Sequence, residues 1–318
     1  ESGTDAAQLY TFATAGTMNS RYVYNGELCY VVVNSAGNRD LYYMDGTGNT
    51  EVFLMALPSQ IFSKDILEHP IFDTVTFAGT DDFLYVACSN GSTGTIELYK
   101  TDGTTANTVK IDDLLSSTAL PAIPTDAYTQ MVGMGGLLYY VVFDEVQGVS
   151  LWHTDGTAAG TILVKTIATT VSNASCGTPY DVDGSIYFAF KESYTTPDVL
   201  WVSDGTANGT VAVYDEFNGG IARHGMVSVD GKCFFMDDDG VHGCEPWVSD
   251  GTTAGTYMIA DLYPGAIGGV WKADDKTKPL SLGDEVLFVA QDSTHGYELW
   301  QSDGTAAGTH MVADINSG

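Results

Sequence analysis

The sequence predicts an all-β chain, a six-bladed β-propeller of four-stranded antiparallel blades, and three observations predict it. Asp-Gly-Thr recurs at Asp45, Asp102, Asp155, Asp204, Asp250 and Asp303, at intervals of 57, 53, 49, 46 and 53 residues. Other residues keep register with it. An aromatic stands three residues before each Asp (Tyr42, Tyr99, Trp152, Trp201, Trp247, Trp300), and Thr108, Thr161, Thr210, Thr256 and Thr309 follow six residues after, with Thr50 one residue early. Finally, each interval breaks into short apolar runs separated by Gly, Asp and Asn, and no window sustains a 3.6-residue apolar period. One meander cannot bury both of its faces, whereas six packed radially bury all but the outer edges.

The 318 residues read as a single domain, 1–318, with blades at 18–57, 71–114, 127–167, 178–216, 225–262 and 278–315. The last repeat shows the pattern. Pro279–Leu282 is a strand, Gly283 and Asp284 a tight turn, and Glu285–Ala290 a second strand. A loop over Gln291–Gly296 leads to a third strand, Tyr297–Gln301; Asp303–Gly308 turns the chain into a fourth, Thr309–Asp314. The same outline recurs at Met226–Val229, Asp230-Gly231 and Lys232–Met236. Residues 1–17, with the apolar run Gln8–Phe12, form an extra N-terminal strand or closure segment. An open solenoid and a fragment of a longer array are the other architectures this pattern admits.

Charge narrows the partners. Twelve Lys and Arg stand against 41 Asp and Glu, a formal net charge of -29. That excess argues against nucleic-acid phosphates and anionic membrane surfaces. No apolar run is long enough for a transmembrane segment. The chain starts at Glu1, as expected of a processed secreted protein or a piece of a longer one; few Lys, many Asp and abundant Thr and Gly point to an extracellular or cell-surface location.

The recurring Asp is expected to organise its turn, accepting backbone N–H bonds while Gly takes positive φ. The recurring Trp or Tyr is expected to pack between neighbouring blades. Other candidates lie at the opposite end of the blades. Two loops repeat an Asp-to-His pattern, Asp239 to His242 and Asp292 to His295, giving a carboxylate–imidazole pair for a ligand or for acid–base work. Asp237 and Asp239, with Asp292, are candidate metal ligands, the ion being Ca²⁺, because hard oxygens beside a Gly turn suit it. Arg223 and His224 precede blade five; Trp271 and Lys272 precede blade six, an aromatic and cationic rim suited to a sugar or carboxylate ligand. Among five cysteines, Cys233 and Cys244 flank one hairpin and are a disulfide candidate, while Cys29 and Cys88 read as buried thiols.

Glu298-Leu299-Trp300-Gln301-Ser302-Asp303-Gly304-Thr305 resembles the ELWxxDGT repeats of bacterial secreted and surface proteins, and the turn resembles the Asp-box of sialidase-type propellers. Leu151–Thr157 and Glu245–Thr252 repeat the match; Tyr replaces Trp in the first two repeats, and Val199 stands in place of the Glu in the fourth. The resemblance implies an extracellular repeat protein and brings no catalytic site with it. The function expected from it is a non-enzymatic adhesion, matrix or scaffold module that binds protein or polysaccharide, open to assembly into a larger extracellular structure. A glycosidase or polysaccharide lyase with a central site, and a Ca²⁺-stabilised structural subunit, are the alternatives.

Overall fold

The computed structural model describes residues 17–33, 38–44, 51–58, 75–90, 95–113, 130–144, 148–169, 175–193, 196–217, 225–265, 268–269 and 278–315. The strand expected at Gln8–Phe12 lies outside them. The fold is all-β, in six antiparallel sheets of four strand positions, and its one helical element among the described residues is a 3-10 turn, Thr105–Asn107. Sheet 1 comprises Thr17–Tyr24, Glu27–Val33, Arg39–Met44 and Glu51–Leu57. Sheet 2 comprises Val75–Gly79, Leu84–Asn90, Thr95–Thr101 and Val109–Asp113; sheet 3, Gln130–Met134, Leu137–Asp144, Gly148–Thr154 and Ile162–Ala168. In sheet 4 the first position is split, Ser175–Cys176 and Tyr180–Val182 both pairing Ser185–Lys191, with Asp198–Ser203 and Val211–Phe217 beyond. Sheet 5 is Val227–Val229, Lys232–Asp238, Cys244–Ser249 and Tyr257–Met258. Sheet 6 is Leu280–Ser281, Val286–Asp292, Gly296–Ser302 and His310–Ala313.

Five of the sheets are plain meanders, each strand bonded to its neighbour in sequence, and sheet 4 departs from that only in its split first position. The turns between first and second strands are short because Asn25-Gly26, Asp183-Gly184 and Asp230-Gly231 all adopt positive φ, the conformation that matches strand twist. The second strands of sheets 4 and 5 are buried along nearly their whole length: Ser185–Lys191 and Lys232–Asp238 each bury five or more consecutive residues. That replaces the alternation of a one-sided sheet, because packing covers both faces.

The chain divides into two compact units, residues 1–129 with 156–159, and residues 130–155 with 160–318. In the first unit sheets 1 and 2 share a core of Cys29, Val31, Leu41, Leu54, Val86 and Tyr99. The second unit has three such cores, one between each successive pair of sheets from 3 to 6. In three repeats the recurring aromatic packs between sheets, as expected, whereas Tyr42 packs on Tyr30 and Val32 of its own sheet. Tyr99 of sheet 2 packs on sheet 1, Trp247 on sheet 4 and Trp300 on sheet 5, each under a tenth exposed. Trp247 meets Phe217 edge-on at 5.1 Å.

One register irregularity recurs. Between third and fourth strands, pairing shifts at Leu41/Tyr42, Leu98/Tyr99, Leu151/Trp152, Leu200/Trp201 and Leu299/Trp300. A bulge there bends the outer strand. That strand exposes Phe53, Val109, Ile162, Val211 or Val312, according to the sheet, so the bend keeps an apolar edge from serving as a flat template for another chain. No helix among the described residues is long and apolar enough to cross a membrane.

Candidate functional site

The two ends of the sheets carry different chemistry. At one end lie the Asp-Gly-Thr turns. In the last of them, Asp303 Oδ1 accepts the Thr305 N–H at 2.9 Å and its hydroxyl at 2.7 Å. Thr305 Oγ1 in turn accepts the Gly308 N–H at 3.0 Å. Thr309 donates its hydroxyl proton to the Thr305 carbonyl at 2.7 Å, so Ser302 must be the donor in the 2.7 Å Ser302–Thr309 bond. Ser302 Oγ also accepts the Gly304 N–H. Every proton in the circuit has one acceptor, and the Thr six residues past the Asp closes it. The circuit repeats around Asp204 and Asp250. The Thr hydroxyl and its N–H hold the carboxyls of Asp204, Asp250 and Asp303 below the ordinary Asp value, and Asn107 joins Thr104 in doing so for Asp102. Asp155 is exposed in the same kind of turn, and Asp45 lies outside the described residues.

Glycines in these turns serve two close approaches. Gly209, Gly255 and Gly308 each face the carboxylate five residues earlier so tightly that a Cβ would overlap it. Repeat two has Asn107 at that position, and its side-chain amide donates to Asp102 at 2.6 Å. In four repeats the glycine after the Asp, at positive φ, lies against the preceding sheet: Gly103 on Tyr43, Gly205 on Tyr139, Gly251 on Tyr187, Gly304 on Val229. Lys165 of sheet 3 completes one such contact, donating to the Thr210 and Ala207 carbonyls in the sheet 4 turn. The carboxylates hold their own turns in shape, and the turn glycines seat those turns on the neighbouring sheet.

The other end carries the loops between second and third strands. Asp239 accepts the N–H groups of Val241 and His242, each at 2.8 Å, and its second oxygen lies 2.7 Å from His242 Nδ1. Asp292 repeats this with Thr294 and His295, its ring partner at 2.8 Å. The carboxylate bond raises both imidazoles above the ordinary His value, and the same bonds lower both Asp carboxyls, in Asp239 against the upward pull of burial. The matched geometry makes each pair a loop staple that leaves the imidazole half-exposed. Among the described residues neither imidazole hydrogen-bonds a Ser, Thr or Cys.

The disulfide expectation needs correction, and the candidate metal ligands lie apart. Among the described residues no three ligating side chains converge on a possible cation position. Asp237 is fully buried and accepts the Asp238 N–H, while Asp239 and Asp292 are committed to their separate loops. Cys233 and Cys244 are free thiols. Their hairpin is centred past the acidic triplet, pairing Cys233 with Ser249 and Cys244 with Asp238. Cys233 and Asp238 stand an odd number of strand positions apart, so the two sulfurs point to opposite faces and into different cores. Burial pushes the Cys233 thiol up. Cys29 and Cys88 are buried thiols as expected. Arg223, His224, Trp271 and Lys272 lie outside the described residues.

Sequence reasoning missed the role of the motif's Glu. Glu245, fully buried, accepts the N–H groups of Leu262 at 3.0 Å, Tyr263 at 3.2 Å and Gly269 at 2.6 Å. Glu298 accepts the Ile315 N–H at 2.7 Å. Both reach 17 residues ahead, to the chain leaving the fourth strand, and that shared spacing was the available signal. Glu97 is held instead by Asn90, Tyr99 and Lys110, whose bonds outweigh burial and lower its carboxyl. Burial pushes Glu245 up to about 7, against the pull of its three N–H donors.

No known family matches the chain, and no curated protein matches it. Solved structures do. One, described in a structural and mechanistic analysis of two prolyl endopeptidases, aligns over 93% of this chain at a TM-score of 0.55 and 10% identity. Another, Porphyromonas gingivalis dipeptidyl peptidase 4, aligns over 95% at 0.59 and 12%. At such identity the likeness is one of fold, and the chain spans 42% and 46% of those two chains. The expectation of a non-enzymatic adhesion, matrix or scaffold module is corrected by this comparison, because these two solved structures of like fold are of peptidases.

Proposed function

We propose that the six sheets are the blades of a closed propeller serving a peptide hydrolase, with the blades admitting substrate and the bond-breaking groups supplied outside them. The observation that carries this reading is the alignment of nearly the whole chain with part of two peptidase structures at TM-scores above one half. Local packing supports the ring: within the second unit the first strands of sheets 3 to 6 adjoin in chain order, as blades around an axis do. The Asp-Gly-Thr circuits support the division of labour, since their carboxylates are engaged within their own turns. The resemblance to ELWxxDGT repeats fits the same reading, with the motif as blade scaffold. A peptide-library digest followed by mass spectrometry, run on the protein as its gene encodes it, tests the activity. Discrete cleavage products support it; an unaltered library after prolonged incubation rejects it. Closure has a separate test in solution scattering, where a closed ring of this length has a radius of gyration of about 20 Å and an open array a larger one.

A further inference from the structure

Asn-Gly occurs four times in the sequence; Asn25-Gly26 and Asn208-Gly209 lie wholly within the described residues, while Asn90-Gly91 and Asn218-Gly219 reach outside them. A glycine after an asparagine leaves its backbone nitrogen the least hindered route to the preceding side chain, because no Cβ stands in the way. Both asparagines are exposed, so exposure does not separate them. Their glycines do. Gly26 lies in the two-residue turn between the paired Tyr24 and Glu27, and a Cβ there would meet nothing within 4 Å. A turn of that length closes its ladder bonds through the flanking pair and leaves the N–H of its second residue to water. Asn25 donates its side-chain amide to the Tyr24 hydroxyl, which leaves its Cγ uncovered. Gly209 belongs to the Asp204 circuit instead. Its N–H donates to Thr206 Oγ1 at 3.0 Å, and its Cα lies against the Asp204 carboxylate. Thr210, next in the chain, is fully buried and donates to the Thr206 carbonyl at 2.6 Å.

We propose that Asn25 is a site of spontaneous deamidation, and that the Asp204 turn shields Asn208 from the same reaction. The Gly26 nitrogen attacks Asn25 Cγ while its proton passes to water or hydroxide. The new C–N bond closes a succinimide ring, and the Cγ–Nδ2 bond breaks to release ammonia. Water then opens the ring at either carbonyl. Opening at Cγ leaves Asp; opening at the main-chain carbonyl leaves isoaspartate, whose main chain runs through Cγ. Ring closure requires Asn25 to rotate out of its positive-φ conformation, and an exposed turn with nothing packed on Gly26 opens at little cost. At Gly209 the same rotation breaks the bond to Thr206, and the neighbouring Asp204 carboxylate opposes removal of an amide proton beside it. The two products differ in consequence. Sheets 4 and 5 place Asp183 and Asp230 where sheet 1 has Asn25, each at positive φ, so the aspartyl product suits the turn. Isoaspartate lengthens the main chain and misaligns the pairing of Tyr24 with Glu27, just ahead of Cys29 and Val31 in the core of sheets 1 and 2. The site exists whether or not the chain serves a hydrolase.

Peptide mapping by mass spectrometry, after incubation of the folded protein in mildly alkaline buffer, reads both asparagines at once. Asn25 should convert about tenfold faster than Asn208, a factor set by one broken hydrogen bond and the adjacent charge, with isoaspartate among its products. In urea, with the fold gone, the two should convert at similar rates. Thr206→Val keeps the shape of the side chain and removes its hydroxyl, so it should raise conversion at Asn208 and leave Asn25 as it was. An Asn25 that stays intact, equal rates at the two sites in the folded protein, or a gap that persists in urea overturns the proposal. So does a folded Thr206→Val in which Asn208 stays as slow as in the parent. If that variant fails to fold, the comparison of folded protein with urea decides. Asn25→Asp should melt with the parent, as Asp183 and Asp230 imply, and a marked loss there counts against the equivalence of the three turns.

Discussion

The end of the sheets bearing the Asp-Gly-Thr turns and the end bearing the loops between second and third strands use the same residue types to different effect. At the first, Asp204, Asp250 and Asp303 sit in near-identical circuits, exposed and held ionised. At the second, Glu245 and Glu298 begin alike, yet one grips the N–H groups of Leu262, Tyr263 and Gly269 and the other takes the N–H of Ile315. Uniformity marks what every sheet needs from its neighbour, whereas variation marks where one sheet departs from the rest.

The largest test of this contrast is removal of a packing aromatic. Trp300→Ala and Trp247→Ala should each cost about 3–5 kcal/mol in urea denaturation, as for other large buried side chains. Trp152, half-buried and bonded to Ser150, should cost less. A silent Trp300→Ala would remove the sheet-to-sheet role.

Turn glycines come next. Gly308→Ala places a methyl against the Asp303 carboxylate and should cost about 1–3 kcal/mol. Gly308→Asn should cost less, because Asn107 shows how an amide at that position joins the circuit. Equal losses in the two variants would break the analogy between repeats.

Titration separates the two ends. The Asp-Gly-Thr carboxyls have folded values below their unfolded ones, so their contribution is complete above the ordinary Asp value and is lost as pH falls through the depressed one. A melting series from pH 7 to pH 2 should therefore fall steeply below about pH 4, and Asp204→Asn with Asp250→Asn should flatten that fall. His242 and His295 behave oppositely. Their folded values are raised, so their contribution is complete below the ordinary His value and disappears as pH rises through the raised one. This is the smallest effect expected, the rings being half-exposed. Imidazole resonances followed by NMR should titrate above the usual His range, and Asp239→Asn should return His242 to it.

Much of this was readable from sequence because repetition reports local needs. Six spaced copies of Asp, Gly and Thr located the sheets within a few residues and assigned Asp204 and Asp303 to their turns. The aromatic was also legible, since a large side chain at one register position in every repeat has to be buried. Register within a hairpin was not: placing Cys233 opposite Cys244 required knowing how many residues the loop between them consumes, and the structure uses Asp239–Gly243. Glu245 was hidden for another reason. Its partners lie 17 to 24 residues ahead in a linker of no repeating composition, and its environment depends on Gly268 and Gly269 lying close enough to exclude water. Function was the least legible, because repetition describes the scaffold and the resemblance named a repeat with no reaction attached.

A double-mutant cycle between Trp247 and Phe217 tests the central claim, that the aromatic of a repeat, where it is buried between sheets, fastens its sheet to the one before. The rings meet edge-on across sheets 5 and 4. The account predicts a coupling of about 0.5–3 kcal/mol between Trp247→Leu and Phe217→Leu. Losses that simply add would contradict it.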